Sequence, residues 1–174
     1  MREIYYGKKK LLLAWGLATA GGVLLHFLYD WAPNAATALF APVNESLWEH
    51  LKVIYWPFLL AALALTRGRP GGLRPWLLVV SLLCAAMLAL GYGYHVLLGG
   101  EELAVDLGIY FGLMTLGFWL APRFSGPFKG PLWAIPVVLA AVWGLAIGFF
   151  TLWPLSNVLF TDLSAVRTWL HIPL

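Results

Sequence analysis

The sequence predicts an all-α, integral membrane helical bundle: about five transmembrane helices and a short interfacial helix at the carboxyl end. Three observations predict it. The first is composition: 61% of residues are hydrophobic, 11% are charged, and mean hydropathy is +0.82. A soluble domain carries about 25% charged residues, and so few charges cannot cover a water-facing surface. The second is that the apolar residues gather into five runs, each close to the roughly 20 residues that a span requires. The third is that the charges separate by side once those runs are read as spans. A length of 174 residues allows one compact domain, 1–174. The ten Trp and seven Tyr suit a bilayer, whose headgroup levels collect amphipathic rings. The net charge of +3 is small, and no nucleic-acid partner is indicated. Cys84 is the single cysteine, which excludes an intramolecular disulfide, a CxxC redox centre and a zinc ribbon.

The spans fall at about 11–31, 46–66, 76–98, 103–121 and 132–153, with an outer-face tail over 154–174. Gly and Pro punctuate them. Pro33 and Pro42 flank the first loop, and a short basic turn runs from Arg67 to Pro75. Gly99-Gly100 and Ser125-Gly-Pro127 mark the later breaks. The start, with Lys8–Lys10 before an apolar stretch and Ala18-Thr-Ala20, has the outline of a signal peptide. The apolar run continues to Phe27, too long for a signal segment, and is read as a retained first helix.

Of the eleven Lys and Arg, all but Lys52 and Arg167 fall on the side of the amino terminus. Of the eight acids, all but Glu3 fall at or near the other face. Excess Lys and Arg mark the cytoplasmic side. The expected placement is therefore a multi-pass protein of the cell membrane, amino terminus cytoplasmic and carboxyl terminus outside.

Ionisable residues at membrane depth usually face the bundle or a wet cavity. Trp15, Thr19, Gly22, His26 and Asp30 form one stripe of the first helix. His26 and Asp30, one turn apart, read either as metal ligands or as a structural pair in which the acid orients the imidazole. The segment Pro42-Val-Asn-Glu-Ser-Leu-Trp-Glu-His-Leu-Lys52 is the densest in polar groups. Ser46 and Glu49 fit a capping box, with Asn44 as the other candidate cap. Capping leaves much unexplained: Glu45, Glu49 and Lys52 share one face, and His50 points roughly 100° away. Further along, His95 lies on a face with Ser81, Cys84 and Gly91, beside Tyr92. Asp106 and Tyr110 share a face of the fourth span. These stripes predict that His26, Asp30, Glu49, His95 and Asp106 line one space. In the tail, 162–171 has the pattern of a short amphipathic helix beginning at Asp162, with Leu163, Val166 and Leu170 on one side and Arg167 and His171 on the other. Such a helix either closes the cavity or serves as an ordinary interfacial anchor.

The segment 42–52, together with Phe149-Phe-Thr-Leu-Trp-Pro154 and Leu159-Phe-Thr-Asp162, resembles the DUF6512 type, an uncharacterised family of small bacterial and archaeal membrane proteins. The resemblance covers most of the chain. In the second motif Leu155 stands where the family pattern has a second proline, and Val158 precedes Leu159-Phe160. The resemblance implies an architecture and points to these residues. It carries no mechanism.

Three function classes follow. The leading one is a site in the outer half of the bundle that binds a divalent metal and processes a lipid or small amphiphile. Its candidate metal ligands are His26, Asp30, His95 and Asp106. Glu45, Glu49 and Lys52 are candidates for acid–base chemistry and headgroup neutralisation. Asn44, His50, Tyr92, Tyr110 and Asp162 are further cavity candidates. No HExxH or HxxxH motif is present. The second class is a small transporter or substrate-binding membrane subunit. Against it stand the lack of an internal repeat and the near-absence of acids at the cytoplasmic end. The third is an assembly partner whose polar layer only pins helices together. The partners expected are membrane lipid and a small-molecule or lipid ligand. Oligomeric state is not legible.

Overall fold

The computed structural model describes residues 6–69 and 71–165. Its helices are α1 (Lys8–Trp31), α2 (Ala35–Phe40), α3 (Leu51–Thr66), α4 (Arg74–Gly91), α5 (Leu103–Leu120) and α6 (Ile135–Leu152). A π-helical turn, Tyr92–Leu97, continues α4. No strand occurs among the described residues. Four helical stretches are long and apolar enough to cross a membrane: Lys8–Trp31, Arg74–Leu97, Leu103–Arg123 and Pro131–Leu152.

The second expected span is the exception. Its helix begins at Leu51 rather than at residue 46 and has 16 residues. The five residues before it are folded as a turn because their polar groups are already engaged. Asn44 Oδ1 accepts from Ser46 N at 3.1 Å, and Ser46 Oγ accepts from Glu49 N at 3.3 Å. The Ser46–Glu49 capping box is thus half formed, with Asn44 supplying the other half. The Glu49 carboxylate is committed elsewhere.

α3 is short but central. It packs on α1, α4, α5 and α6, and Leu51, Ile54 and Phe58 on it are fully buried. An apolar helix without a polar face belongs in such a position. The outer helices turn large apolar side chains outward, such as Leu12 at 66% exposure and Leu145 at 75%. That exterior is compatible with lipid and unfavourable in water.

Aromatic rings fill the core at the basic end. Trp76, at the start of α4, meets Phe58 and Phe118 with ring centroids 5.2–5.4 Å apart in all three pairs. Each such pair contributes about 0.5–1.5 kcal/mol beyond area burial. The acidic end is built differently. α2 lies in the first loop, between Pro33 and Pro42, where no helix is expected from the apolar runs. Asn34 caps it, accepting from Ala36 N at 2.9 Å and Thr37 N at 3.1 Å, and Thr37 Oγ1 accepts from Asn34 N at 3.1 Å. The tail crosses back over this end. Trp48 N donates to the Leu159 carbonyl at 2.9 Å, and Phe160 stacks on the Trp48 ring at 5.0 Å. Of the amphipathic helix expected over 162–171, Leu163–Ala165 form one 3₁₀ turn. Val166, Arg167, Leu170 and His171 lie outside the described residues.

Candidate functional site

Two polar assemblies stand at the acidic end. The first is a closed clamp. Lys52 is fully buried, and Glu49 is 4% exposed. The ammonium donates to the carbonyls of Ala38 at 2.7 Å and Ala41 at 3.1 Å, and to Glu49 Oε2. Three donors thus meet three acceptors. Glu49 Oε2 also accepts from Val43 N at 2.9 Å, and Oε1 accepts from Thr151 Oγ1 at 3.1 Å. The clamp joins α2, the following loop, α3 and α6. It seals the end of α2, whose last carbonyls have no helical partner of their own. Neither Glu49 nor Lys52 lines the cavity described next.

The second assembly faces a cavity of about 530 Å³ between α1, α4, α5 and the loop before α3. Small-ligand sites fall in this size range. α1 brings His26 to the cavity. The turn before α3 brings Glu45 and His50. The π-helical turn brings His95, and the first turn of α5 brings Asp106. A π turn widens the helix by one residue per turn, and such insertions are common at functional sites. Here the following loop closes on it: Gly100 N donates to the Tyr94 carbonyl at 2.9 Å, and Gly99 takes φ +67°.

His26, Glu45 and His50 converge on one point. His26 Nε2 is 3.2 Å from His50 Nε2 and 3.5 Å from Glu45 Oε2, and His50 Nε2 is 3.2 Å from Glu45 Oε2. The ring of His50 is oriented from behind, with Nδ1 at 2.8 Å from the Ser46 carbonyl. A carbonyl can only accept, so Nδ1 carries the proton and, in the neutral ring, Nε2 presents its lone pair to the other two. His26 Nδ1 is buried without a hydrogen-bond partner, so the polar contacts of that ring run through Nε2. Hydrogen bonds from His26 and then His50 hold the Glu45 carboxyl well below the usual carboxylate range. Burial works to lower the affinity of His50 for a proton, but the bonds to Glu45 and the Ser46 carbonyl outweigh it and raise its pKa. Three ligand atoms lie within 4.8 Å of one another, each able to offer a lone pair. Shared ring protons or a metal ion can bridge them.

His95 is held between two acceptors. Nε2 is 2.8 Å from Asp106 Oδ1, and Nδ1 is 2.8 Å from the Gly100 carbonyl. Satisfying both requires one proton more than a neutral imidazole beside an ionised carboxylate contains. One proton shared by the pair would satisfy both contacts at the cavity wall.

The structure brings His26, His95 and Asp106 onto one cavity, together with Glu45, His50 and Tyr110. It groups them otherwise than the helical stripe implies. His26 faces His50 and Glu45 across the bundle, while Asp30 is exposed near the end of α1 and does not line the cavity. Asn44 serves the turn. Tyr92 lies in the π turn away from the lining. Asp162 acts at one remove: its Oδ1 accepts from Ser164 N at 3.0 Å and Oγ at 2.7 Å, and Ser164 lines the cavity. Tyr110 marks the floor, where its hydroxyl donates to the Thr19 carbonyl at 2.7 Å. A Cβ at Gly22 would collide with that hydroxyl and with the Val53 carbonyl oxygen.

The family profile of DUF6512, described as a family of unknown function, matches residues 2–167. The chain belongs to this family. No curated protein and no solved structure matches it. In this DUF6512 chain both resembling segments meet at the acidic end. Segment 42–52 supplies Glu49 and Lys52 of the clamp and two of the three residues of the His26–Glu45–His50 cluster. Thr151, from the second segment, completes the clamp. Sequence reasoning left Thr151 and Ser164 without a role. Thr151 lay inside a quoted motif, but nothing in its spacing connects it to a glutamate 102 positions earlier.

Proposed function

We propose that this DUF6512 chain is a multi-pass protein of the cell membrane, with the short apolar α3 as its fifth crossing, amino terminus inside and carboxyl terminus outside. It holds a divalent cation at His26, Glu45 and His50, and it processes a lipid or other small amphiphile in the adjoining cavity. One observation carries the cation: the two Nε2 atoms and Glu45 Oε2 face one another, with His50 fixed from behind by the Ser46 carbonyl. A backbone carbonyl on the distal nitrogen is the usual support of a metal-binding histidine. Two imidazoles and a carboxylate suit zinc and leave coordination positions open. A cation held by these three residues would supply Lewis-acid chemistry towards a substrate oxygen or a water molecule. His95 and Asp106, on the same cavity, are placed to give and take the proton.

The packing supports a dead-ended site over a transport path. Below the cavity α1 and α5 close at Tyr110 and Thr19, and the basic end is filled by Trp76, Phe58 and Phe118. The satisfied Glu49–Lys52 clamp supports a scaffolding role for those two residues. Metal analysis of protein purified without chelators tests the proposal. The expected content is about one zinc-class cation per chain, lost in His26→Ala and His50→Ala and kept in Asp30→Asn. A parent that stays metal-free when supplied with zinc, or variants that keep the metal, would sink it.

A further inference from the structure

The cavity has an uncovered flank. Phe27 on α1 and Leu103 and Leu107 on α5 line it, yet they are 45%, 68% and 41% exposed on the outside of the bundle. Lower down the same two helices are locked together by Tyr110, Thr19 and the close approach at Gly22. α1 and α5 thus meet beneath the cavity and leave a cleft above it.

The two edges of that cleft share a pattern. His26 precedes Phe27 on α1, and Asp106 precedes Leu107 on α5. Consecutive helical residues point about 100° apart. Each edge therefore turns a polar group inward and an apolar one outward at the same level. A molecule lying across the cleft meets polar groups at one end and apolar side chains at the other. On the cation reading above, on which this step rests, Glu45 and two neutral imidazoles leave a divalent ion with one net positive charge. The His95–Asp106 pair adds none if it carries one shared extra proton, and the remaining lining carboxylate, Glu101, is exposed to solvent, so the positive charge is local to the cation.

We propose that the cavity takes an amphiphile with an anionic oxygen headgroup on a single apolar chain, admitted sideways between α1 and α5. The carboxylate or phosphate oxygen sits against the His26–Glu45–His50 cation. The chain leaves past Phe27, Leu103 and Leu107 into the surrounding lipid.

The test uses the full chain in phosphatidylcholine nanodiscs and three photoactivatable probes of equal chain length: a fatty acid, an alkyl phosphate and an alkyl alcohol. Crosslinks are mapped by peptide mass spectrometry, and metal content is measured on the same samples. The expected result is several-fold stronger labelling at Phe27, Leu103 and Leu107 by one or both anionic probes than by the alcohol, competed by unlabelled probe. The stronger of the two identifies the headgroup. Leu107→Trp and Leu103→Trp, both at exposed positions, should cut this labelling several-fold while metal content is unchanged. Equal labelling by the alcohol, or labelling that excess probe does not compete, would mean only surrounding lipid and would overturn the inference. Undiminished labelling in both Trp variants would overturn the sideways route. If the parent holds no metal but anionic labelling is specific, the cation reading fails and the amphiphile cleft stands. If metal is present and labelling is unspecific, the cleft fails alone.

Discussion

Glu45 and Glu49 stand four residues apart and have opposite surroundings. Glu49 is buried and accepts from Lys52, Val43 and Thr151. The Glu45 side chain is 46% exposed and faces two imidazoles across a cavity. Their substitutions should therefore separate. Glu49→Gln leaves the Lys52 ammonium buried beside carbonyls alone, and breaking one partner of a buried pair costs about 3–5 kcal/mol. Glu45→Gln should change unfolding little and act on cation binding instead. Chemical or thermal unfolding in detergent checks both, and an undisturbed Glu49→Gln protein would refute the clamp. Sequence alone groups Glu45, Glu49 and Lys52 on one face and invites a single role for all three. What divides them is the pair of carbonyls at the end of α2, and no side-chain periodicity announces where backbone carbonyls will lie.

At the scale of elements, the apolar runs placed α1, α4, α5 and α6 well, because length and hydropathy are what a span demands. They failed at the start of α3 and missed α2. Residues 46–50 carry helical spacing, yet Asn44, Ser46 and Glu49 bond the local backbone, and such side chains compete with helix formation. α2 did leave a trace: Asn34 and Thr37 have capping-box spacing. Asn34→Ala should cost about 1 kcal/mol through loss of the cap. It should also loosen Lys52, whose ammonium rests on carbonyls of the same segment. If its effect on unfolding simply adds to that of Glu49→Gln, the two features are independent; a sum smaller than the parts is the expected outcome. The π turn that aims His95 was not legible, since Gly91-Tyr-Gly-Tyr-His95 has no signature distinguishing it from a continued α-helix.

For the whole molecule, the charge split predicts a direction across the membrane, and the fold gives that direction two unlike ends. The basic end is an aromatic core. The acidic end holds the clamp, the cavity and both histidine–carboxylate groups. Cysteines introduced at Lys9 and at exposed Ser156 should react with an impermeant reagent from opposite sides of intact cells and inverted vesicles. Cys84 is fully buried and should stay silent. Reaction at position 156 only in inverted vesicles, with position 9 reacting from outside, would reverse the account of where the site faces. The site's existence rests on a simpler matter, whether one cation sits among His26, Glu45 and His50. Titration of chelator-treated protein with Co²⁺, followed by its visible absorption, addresses this directly, because the bands report ligand number and type. The account predicts saturation at about one ion per chain, with zinc displacing the cobalt. The bands should disappear in His50→Ala and persist in Asp30→Asn and Asp106→Asn. A spectrum of hexa-aqua cobalt throughout the titration, or bands unchanged in His50→Ala, would contradict it.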